Sequence, residues 1–342
     1  MNIRLKDIAA KCGVSINTVS HILNRNRGDL YDPKLVAKVK RIAGSMDYKP
    51  SRAAQSLVLK RSRIVGFIVM SEPADGQVQH YNEYPFLLGM SHELYHHNYH
   101  TMLVEVNELG YETELPPILR DRIFDGLVVH AGFSKRLQAQ LEKIDVPIIF
   151  WDCGIFGKHD SIDRGEYETA ALVIRELMAL GHTRITFHAG SDTAWNRYTT
   201  KGDAHFSYSA RYEAYRDTIS KSGTPHVISG YDAAMIAGEL IKNGSTAVVT
   251  LGESILPRII LAAGMNGWTI PRDFSIATFD HSERISAGAA LMVGGAPYDR
   301  YAAGIHAGTM ILSKITSDGS PIPSVVIPGA FDTGETIAAP RS

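Results

Sequence analysis

Apolar residues recur at helical spacing at the very start of the chain. In LKDIAAKCGVSINTVSHILN, Leu5 to Asn24, the residues Ile8, Ala9, Val14, Val19, Ile22 and Leu23 fall on the inner faces of two short helical segments. Gly13 stands where the chain must turn and can take the positive φ that ends the first helix; Ser15 is placed to cap the second. The pattern predicts a helix-turn-helix whose second helix spans roughly Ile16 to Asn24. A third helix, from about Asp32 or Pro33 to Met46, carries Leu35, Val36, Val39 and Ile42 at the same spacing and closes a small core. Proline fits its first turn, and Tyr48-Lys49-Pro50 ends the unit.

From Ile64 the pattern changes to short apolar runs suited to buried parallel strands: 64–70, 100–106, 125–130, 146–152, 184–190, 246–252 and 274–280. Helical patterns separate them, as in PFLLGMSHELYHH, YETAALVIRELMALG and AGELIKNG. The alternation predicts a doubly wound α/β body, long enough for two sub-domains, with ligands at the carboxyl ends of its strands.

Composition narrows the class. The chain has 342 residues, 44% of them hydrophobic, which suits a globular protein with a large core. The N-terminal MNIRLKDIAAKCG lacks the apolar run of a signal peptide and no later stretch has the length of a membrane span, so a cytoplasmic, nucleoid-associated protein without a membrane partner is expected. Cys12 and Cys153 are too few for a disulfide framework and lack metal-ligand spacing; neither metal nor cofactor is expected. The net charge of −1 conceals an asymmetry: residues 1–63 hold 14 Lys or Arg against 4 Asp, a net of +10, leaving −11 for the remainder. A basic head coinciding with a helix-turn-helix points to double-stranded DNA, bound with an affinity that falls steeply with salt.

In that head, Ile16, Asn17 and His21 are the residues offered to base edges. Asn binds adenine through two hydrogen bonds, Ile packs on a thymine methyl, and His meets a purine N7 or a phosphate. Ser15, Thr18 and Ser20 suit phosphate oxygens, and Asn24 ends the helix. The stretch SRAAQSLVLKRSR, residues 51–63, reads either as a plain linker or as a hinge helix paired with its twin across a dimer axis. In the second reading Arg52 and Ala53 lie at the DNA and Leu57 wedges into a minor-groove base step.

These residues carry a resemblance. The LKDIAAKCGVS…TVSHILN run, the YKPSRAAQSL hinge and the IVGFIV strand after it resemble the LacI/GalR family of bacterial transcription regulators, with agreement in order and spacing over nearly the whole chain. The resemblance implies a small all-α helix-turn-helix domain (1–50), a hinge (51–63) and an effector-binding and dimerisation core (64–342) of two doubly wound parallel-sheet sub-domains, like a periplasmic binding protein. The first sub-domain would be about 64–162 plus 294–325, the second about 163–293 plus 326–342. It also implies a homodimer on a near-palindromic operator, most simply a repressor. Ile16, Asn17 and His21 fall on base-reading positions and Leu57 on the minor-groove wedge; His21 departs from the arginine common there.

The cleft of such a core takes a small molecule. Asp152 and Asp280 end strands and Arg211 opens a helix. Two carboxylates and a guanidinium match the vicinal hydroxyls of a sugar, and the resemblance places all three on the effector. Tyr81 and Tyr84, in the loop after the first strand and at its end, offer aromatic faces. Trp195, with Tyr198 and Phe206, comes near the cleft in a segment longer than its family counterpart. Ser207 and Tyr298 complete the candidates, together with Glu253, which stands in Gly252-Glu253 where the family has Asn-Asp. One enzymatic motif competes: His92-Glu93-Leu94-Tyr95-His96 fits H-E-x-x-H, which on a helix aims two imidazoles at zinc. In a helix following a strand, Leu87, Leu88, Leu94 and Tyr95 are expected to pack and the histidines to face solvent or a partner subunit. The alternative to an effector-controlled regulator is accordingly a cytoplasmic carbohydrate-binding or zinc-dependent hydrolytic protein with an incidental basic head.

Overall fold

The computed structural model describes residues 3–23, 27–49, 61–71, 83–107, 117–119, 123–130, 139–141, 143–154, 157, 159–201, 205–280, 291–317 and 319–341. Five of the candidate residues, Asn24, Arg52, Ala53, Leu57 and Tyr81, lie outside these.

The head folds as its pattern predicts. Helix α1 (Leu5–Cys12) ends at Gly13, whose N–H donates to the Ala10 carbonyl and whose φ of 69° turns the chain so that the Val14 N–H donates to the Ala9 carbonyl at 3.1 Å. Such a left-handed closure satisfies carbonyls that the last turn leaves open, at little steric cost to glycine. Ser15 Oγ then accepts from the Thr18 amide at 3.0 Å and starts α2 (Ile16–Leu23). Helix α3 (Pro33–Ser45) begins at Asp32, whose side chain accepts from the Lys34 amide at 2.7 Å. Lys38 reaches from α3 to the Cys12 carbonyl at 2.9 Å, placing a cation at the negative end of α1. Ile8, Val19 and Val39 meet fully buried at the centre. Ser15→Ala removes the cap of α2 and is expected to cost about 1 kcal/mol locally; faster hydrogen exchange at the Val19 to Leu23 amides of the full chain is the readout.

Two six-stranded sheets make the body. The first contains β1 (Ile64–Ser71), β2 (His100–Asn107), β3 (Gly126–His130), β4 (Ile148–Trp151) and β5 (Ser161–Asp163), with α4 (Tyr84–His96) between β1 and β2. The chain then crosses to the second sheet through α5 (Glu166–Ala179), β6 (Ile185–His188), α6 (Asp192–Lys201), α7 (Phe206–Ile219), β7 (His226–Ile228), α8 (Ala233–Asn243), β8 (Ala247–Thr250), α9 (Leu256–Met265), β9 (Ser275–Thr278) and β10 (Val293–Gly295). It returns in α10 (Arg300–Thr316) to add β11 (Val325–Val326) to the first sheet, and ends on β12 (Asp332–Gly334) in the second. The orders are β11-β5-β4-β3-β1-β2 and β12-β10-β9-β8-β6-β7, and every pairing is parallel except β10 with β12. Strand β10 runs to Gly295 in the second sheet and β11 to Val326 in the first.

Each sheet is covered on both faces, which explains why its central strands read as unbroken apolar runs. On the first sheet, Phe86, Met90 and Leu94 of α4 and Ala303, Ala307 and Ile311 of α10 pack with Phe67, Val128 and Trp151. On the second, α5 and α7 cover one face through Val173, Ile174, Leu177 and Tyr215, and α8 and α9 cover the other through Ile236, Leu240 and Ile259. Helices α4 and α10 touch through backbone: a Cβ on Gly304 would run into the Phe86 carbonyl oxygen, and one on Gly89 into that of Tyr301. This geometry corrects the expected inner face of α4. Phe86, Gly89, Met90 and Leu94 point inward, whereas Leu88 is 47% and Tyr95 69% exposed. The close backbone crossing selects the glycine-bearing side of a helix that is apolar nearly all round.

Candidate functional site

The residues expected to face DNA lie on and just before α2. Ile16 is 50% exposed, Ser15 and Asn17 are exposed, and Thr18 and Ser20 are half-buried. Thr18 is tied to the helix start, its hydroxyl 2.9 Å from that of Ser15. His21 sits differently from Ile16 and Asn17. Its ring is half-buried, and Nδ1 shares a 2.8 Å hydrogen bond with the Tyr31 hydroxyl, from the segment between α2 and α3. The imidazole therefore joins the last turn of α2 to the rest of the head, a role its spacing alone did not disclose.

The second site lies where the crossings between the sheets meet the carboxyl ends of the strands. Asp152 follows β4 in a left-handed conformation (φ 49°) that Asp tolerates better than most side chains. Asp280 follows β9, and Arg211 lies in the second turn of α7. The structure joins these three through residues the sequence reading missed: Arg164 just after β5, Glu166 at the start of α5 and Arg300 at the start of α10. Arg211 grips Glu166 with two bonds of 2.7 Å, donates to the Leu251 carbonyl at 2.7 Å and meets Asp280 at 3.1 Å. Arg164 pairs with Asp152 at 2.8 Å, with Asp280 at 3.2 Å and with Glu166. Arg300 pairs with Asp280 from the opposite side. The Asp280 carboxylate is thus the hub of three guanidiniums.

Burial makes these charges consequential, since ion pairs strengthen and unpaired charges become costly as water is excluded. Burial alone would raise the Asp280 carboxyl, but Arg300, Arg164 and Arg211 overcome it and hold it well below the usual range. Burial likewise works against ionised Glu166, and there too Arg164 and Arg211 prevail. Asp152 goes the other way. Desolvation outweighs Arg164, and with the added repulsion of Glu166, Glu83 and Asp280 its carboxyl is pushed up to about 8. His205, which caps α7 by accepting from the Ser207 amide, is driven down to about 4 by burial and by Arg164 and Arg211, so it is neutral near pH 7.

An aromatic wall adjoins the charges. Trp151 stacks on Phe86 at 4.5 Å, donates to Glu83 at 3.3 Å and lies 5.8 Å from Tyr298. Glu83 also stands 3.5 Å from His130. The Tyr298 ring has Arg300 over it at 4.4 Å and Arg164 at 5.0 Å. Ser207 is buried beside His205, and Glu253 lies in a short helical turn past Leu251. Phe206 reaches the cleft, its ring against Gly154. Trp195 instead packs tilted against Tyr198 and edge-on against Tyr212 on the second sheet's core, and Tyr84 is 66% exposed on the outer side of α4, where Glu83 takes the inward place. The H-E-x-x-H histidines are exposed as expected. Glu93 pairs with His97 at 3.5 Å, and among the described residues no three His, Cys, Asp or Glu side chains are placed to hold a metal ion. No helix of the described residues is long and apolar enough to cross a membrane.

A three-helix head whose second helix is exposed, on a core of two mainly parallel sheets joined by three crossings, defines a helix-turn-helix protein with a periplasmic-binding-protein-like body. Comparison with known proteins matches the two parts separately. Residues 4–51 match the model of bacterial regulatory proteins of the lacI family, and residues 174–337 match a periplasmic binding protein-like domain. It is 27% identical to the transcriptional repressor PurR of Pectobacterium carotovorum over 92% of this chain and 90% of that one. Among solved structures, the lac repressor dimer bound to operator and the anti-inducer ONPF superposes with a TM-score of 0.77 at 18% identity, covering 99% of this chain and 100% of that one. The regulator CelR in complex with cellobiose gives 0.65 at 18% identity, over 98% and 99%.

Proposed function

We propose that this protein is a dimeric repressor that binds a near-palindromic operator in the cytoplasm and is released or engaged by a saccharide held between its sub-domains. The observation that carries the reading is the pairing of two sites on one chain: a capped helix offering Ile16 and Asn17, and a buried cluster of carboxylates and guanidiniums at the strand ends of both sheets. Paired acceptors and donors suit sugar hydroxyls, which do both. The relative that holds cellobiose and the relative named a repressor support the class of effector and the direction of control. Homodimerisation is supported by the outer stripe of α4, where Tyr84, Leu88 and Tyr95 are all exposed, and by Leu103, 56% exposed on the edge strand β2. The Ile16, Asn17 and His21 surface reads bases while Ser15, Thr18 and Ser20 contact phosphates. Asp152, Arg211, Asp280, Ser207, Glu253, Tyr298 and the neighbouring loops bind the effector. The protein acts without catalysis.

Selection of bound genomic fragments by the full chain, at increasing salt, tests the DNA reading; deleting residues 1–63 must abolish selection. On the selected operator, Asn17→Ala is expected to lose about 1–3 kcal/mol and to relax preference at one position of each half-site, as loss of a base-reading contact does. Uniform weakening across all sequences would make Asn17 a phosphate contact instead. Calorimetry with a saccharide panel on wild type and on Arg211→Ala tests the cleft, since unchanged affinity removes Arg211 from it.

A further inference from the structure

Arg164 leaves β5 in the first crossing, and its guanidinium lies between the two carboxylates that the effector reading needs. Its Nη2 is 2.8 Å from Asp152 and its Nη1 3.2 Å from Asp280, with Glu166 also in contact. Asp152 belongs to the first sheet's strand ends, Glu166 and Asp280 to the second sub-domain, so one side chain, 7% exposed, ties the two halves together. Arg300 adds a second tie, from α10 on the first sheet to Asp280.

We propose that Arg164 is a built-in competitor of the effector: it holds the sub-domains together through Asp152 and Asp280, and the effector gains those carboxylates by displacing it. This rests on the reading of the cleft as the effector site. Three features make Arg164, rather than its neighbours, the exchangeable group. Arg211 is fixed within its own sub-domain by a two-pronged grip on Glu166 and a bond to the Leu251 carbonyl. Arg164 is held by three carboxylates and makes, among the described residues, no backbone carbonyl bond like that of Arg211 to Leu251. Its Nε is buried without a hydrogen-bond partner, and so is Oδ1 of the Asp152 it holds; each is a polar atom that pairing with a ligand would satisfy. Finally, the guanidinium lies over the Tyr298 ring at 5.0 Å, while Arg300 lies over the same ring at 4.4 Å. Withdrawing Arg164 therefore opens Asp152 and the edge of Asp280 not taken by Arg211 and Arg300 to hydroxyls, and one aromatic contact to the apolar C–H surface of a sugar ring, in a single movement. A cleft built this way selects effectors that repay the lost ion pairs with hydroxyl contacts, and it keeps the halves engaged at low effector concentration.

Hydrogen exchange on the full-length protein, without DNA or effector, tests the tie. Arg164→Gly is expected to raise exchange several-fold in the segments facing across the cleft, 148–154 and 206–211, and to leave α8 unchanged; millimolar methylguanidinium, which refills the vacated position, restores protection. Arg164→Lys keeps a cation that cannot span both carboxylates and should show the same local rise. Unchanged exchange, or a rise spread evenly over both sub-domains in both variants, overturns the proposal. Calorimetry with cellobiose then tests competition: Arg164→Gly should bind it more tightly than wild type, and equal or weaker binding overturns the competitor role. If neither protein binds any sugar of the wider panel, it is the saccharide reading that fails, and exchange alone decides the tie.

Discussion

Asp280→Asn is expected to destabilise the core by about 3–5 kcal/mol, the cost of removing one member of a buried ion-pair cluster. Asn keeps the shape of the side chain and removes the charge on which Arg164, Arg211 and Arg300 converge. Two of these retain a carboxylate elsewhere, Arg164 and Arg211 both at Glu166. Arg300, whose side chain is 2% exposed, loses the ion pair it makes across the crossing. Urea unfolding of the full chain measures the loss. A cost near 1 kcal/mol, the range of solvent-exposed pairs, would mean that water reaches the hub and that the three arginines do not depend on it. The effect should also be asymmetric between pairs: Arg216→Ala, which breaks an ion pair with Asp217 at half-exposed positions, changes little by comparison.

The sequence disclosed elements whose signal is local. The head was readable because the turn glycine, the cap serine and the helical spacing of Ile8, Val19 and Val39 agree within a short stretch. The central strands were readable because burial on both faces makes them continuous apolar runs. Strands β5, β7, β10, β11 and β12, of two or three residues each, are too short to carry a period and are set by what lies beside them. The inner face of α4 was misread for a related reason: apolar residues surround the helix, and backbone contact at Gly89 and Gly304 decides which side turns in. In the cleft, Asp152, Arg211 and Asp280 were legible as charges at strand ends and a helix start. Arg164, Glu166 and Arg300 sit among ordinary polar positions near crossings, and only the tertiary convergence on Asp280 distinguishes them. A weak signal did exist in Asp163-Arg164-Gly165, a charged pair between a strand and a helix where a loop needs neither charge. His21 was legible as an outward residue of α2, but its hydrogen bond to Tyr31 depends on the path of the chain between α2 and α3.

Asp152→Asn is expected to gain stability on the wild type as pH rises, and the sign follows from where the proton resides. The Asp152 carboxyl is pushed up to about 8 in the folded protein, from an ordinary value of 3.8, first by burial and then by Glu166, Glu83 and Asp280, against the opposing pull of Arg164. Between those two values the folded protein keeps a proton that the unfolded chain has released. The stability tied to this group is therefore complete below the ordinary carboxylate value and is lost progressively until pH passes about 8. Asn carries no such proton, so the variant escapes that loss. Its stability relative to wild type should climb between pH 5 and pH 8 at up to about 1.4 kcal/mol per pH unit and level off above. Arg164, Glu166, Glu83 and Asp280 face the carboxyl in wild type and the amide in the variant, so the difference between the two proteins reports the Asp152 proton together with its coupling to these groups. Thermal unfolding of the pair across this range reads it out. A difference that stays flat with pH would mean that Arg164 wins over desolvation and Asp152 is ionised throughout.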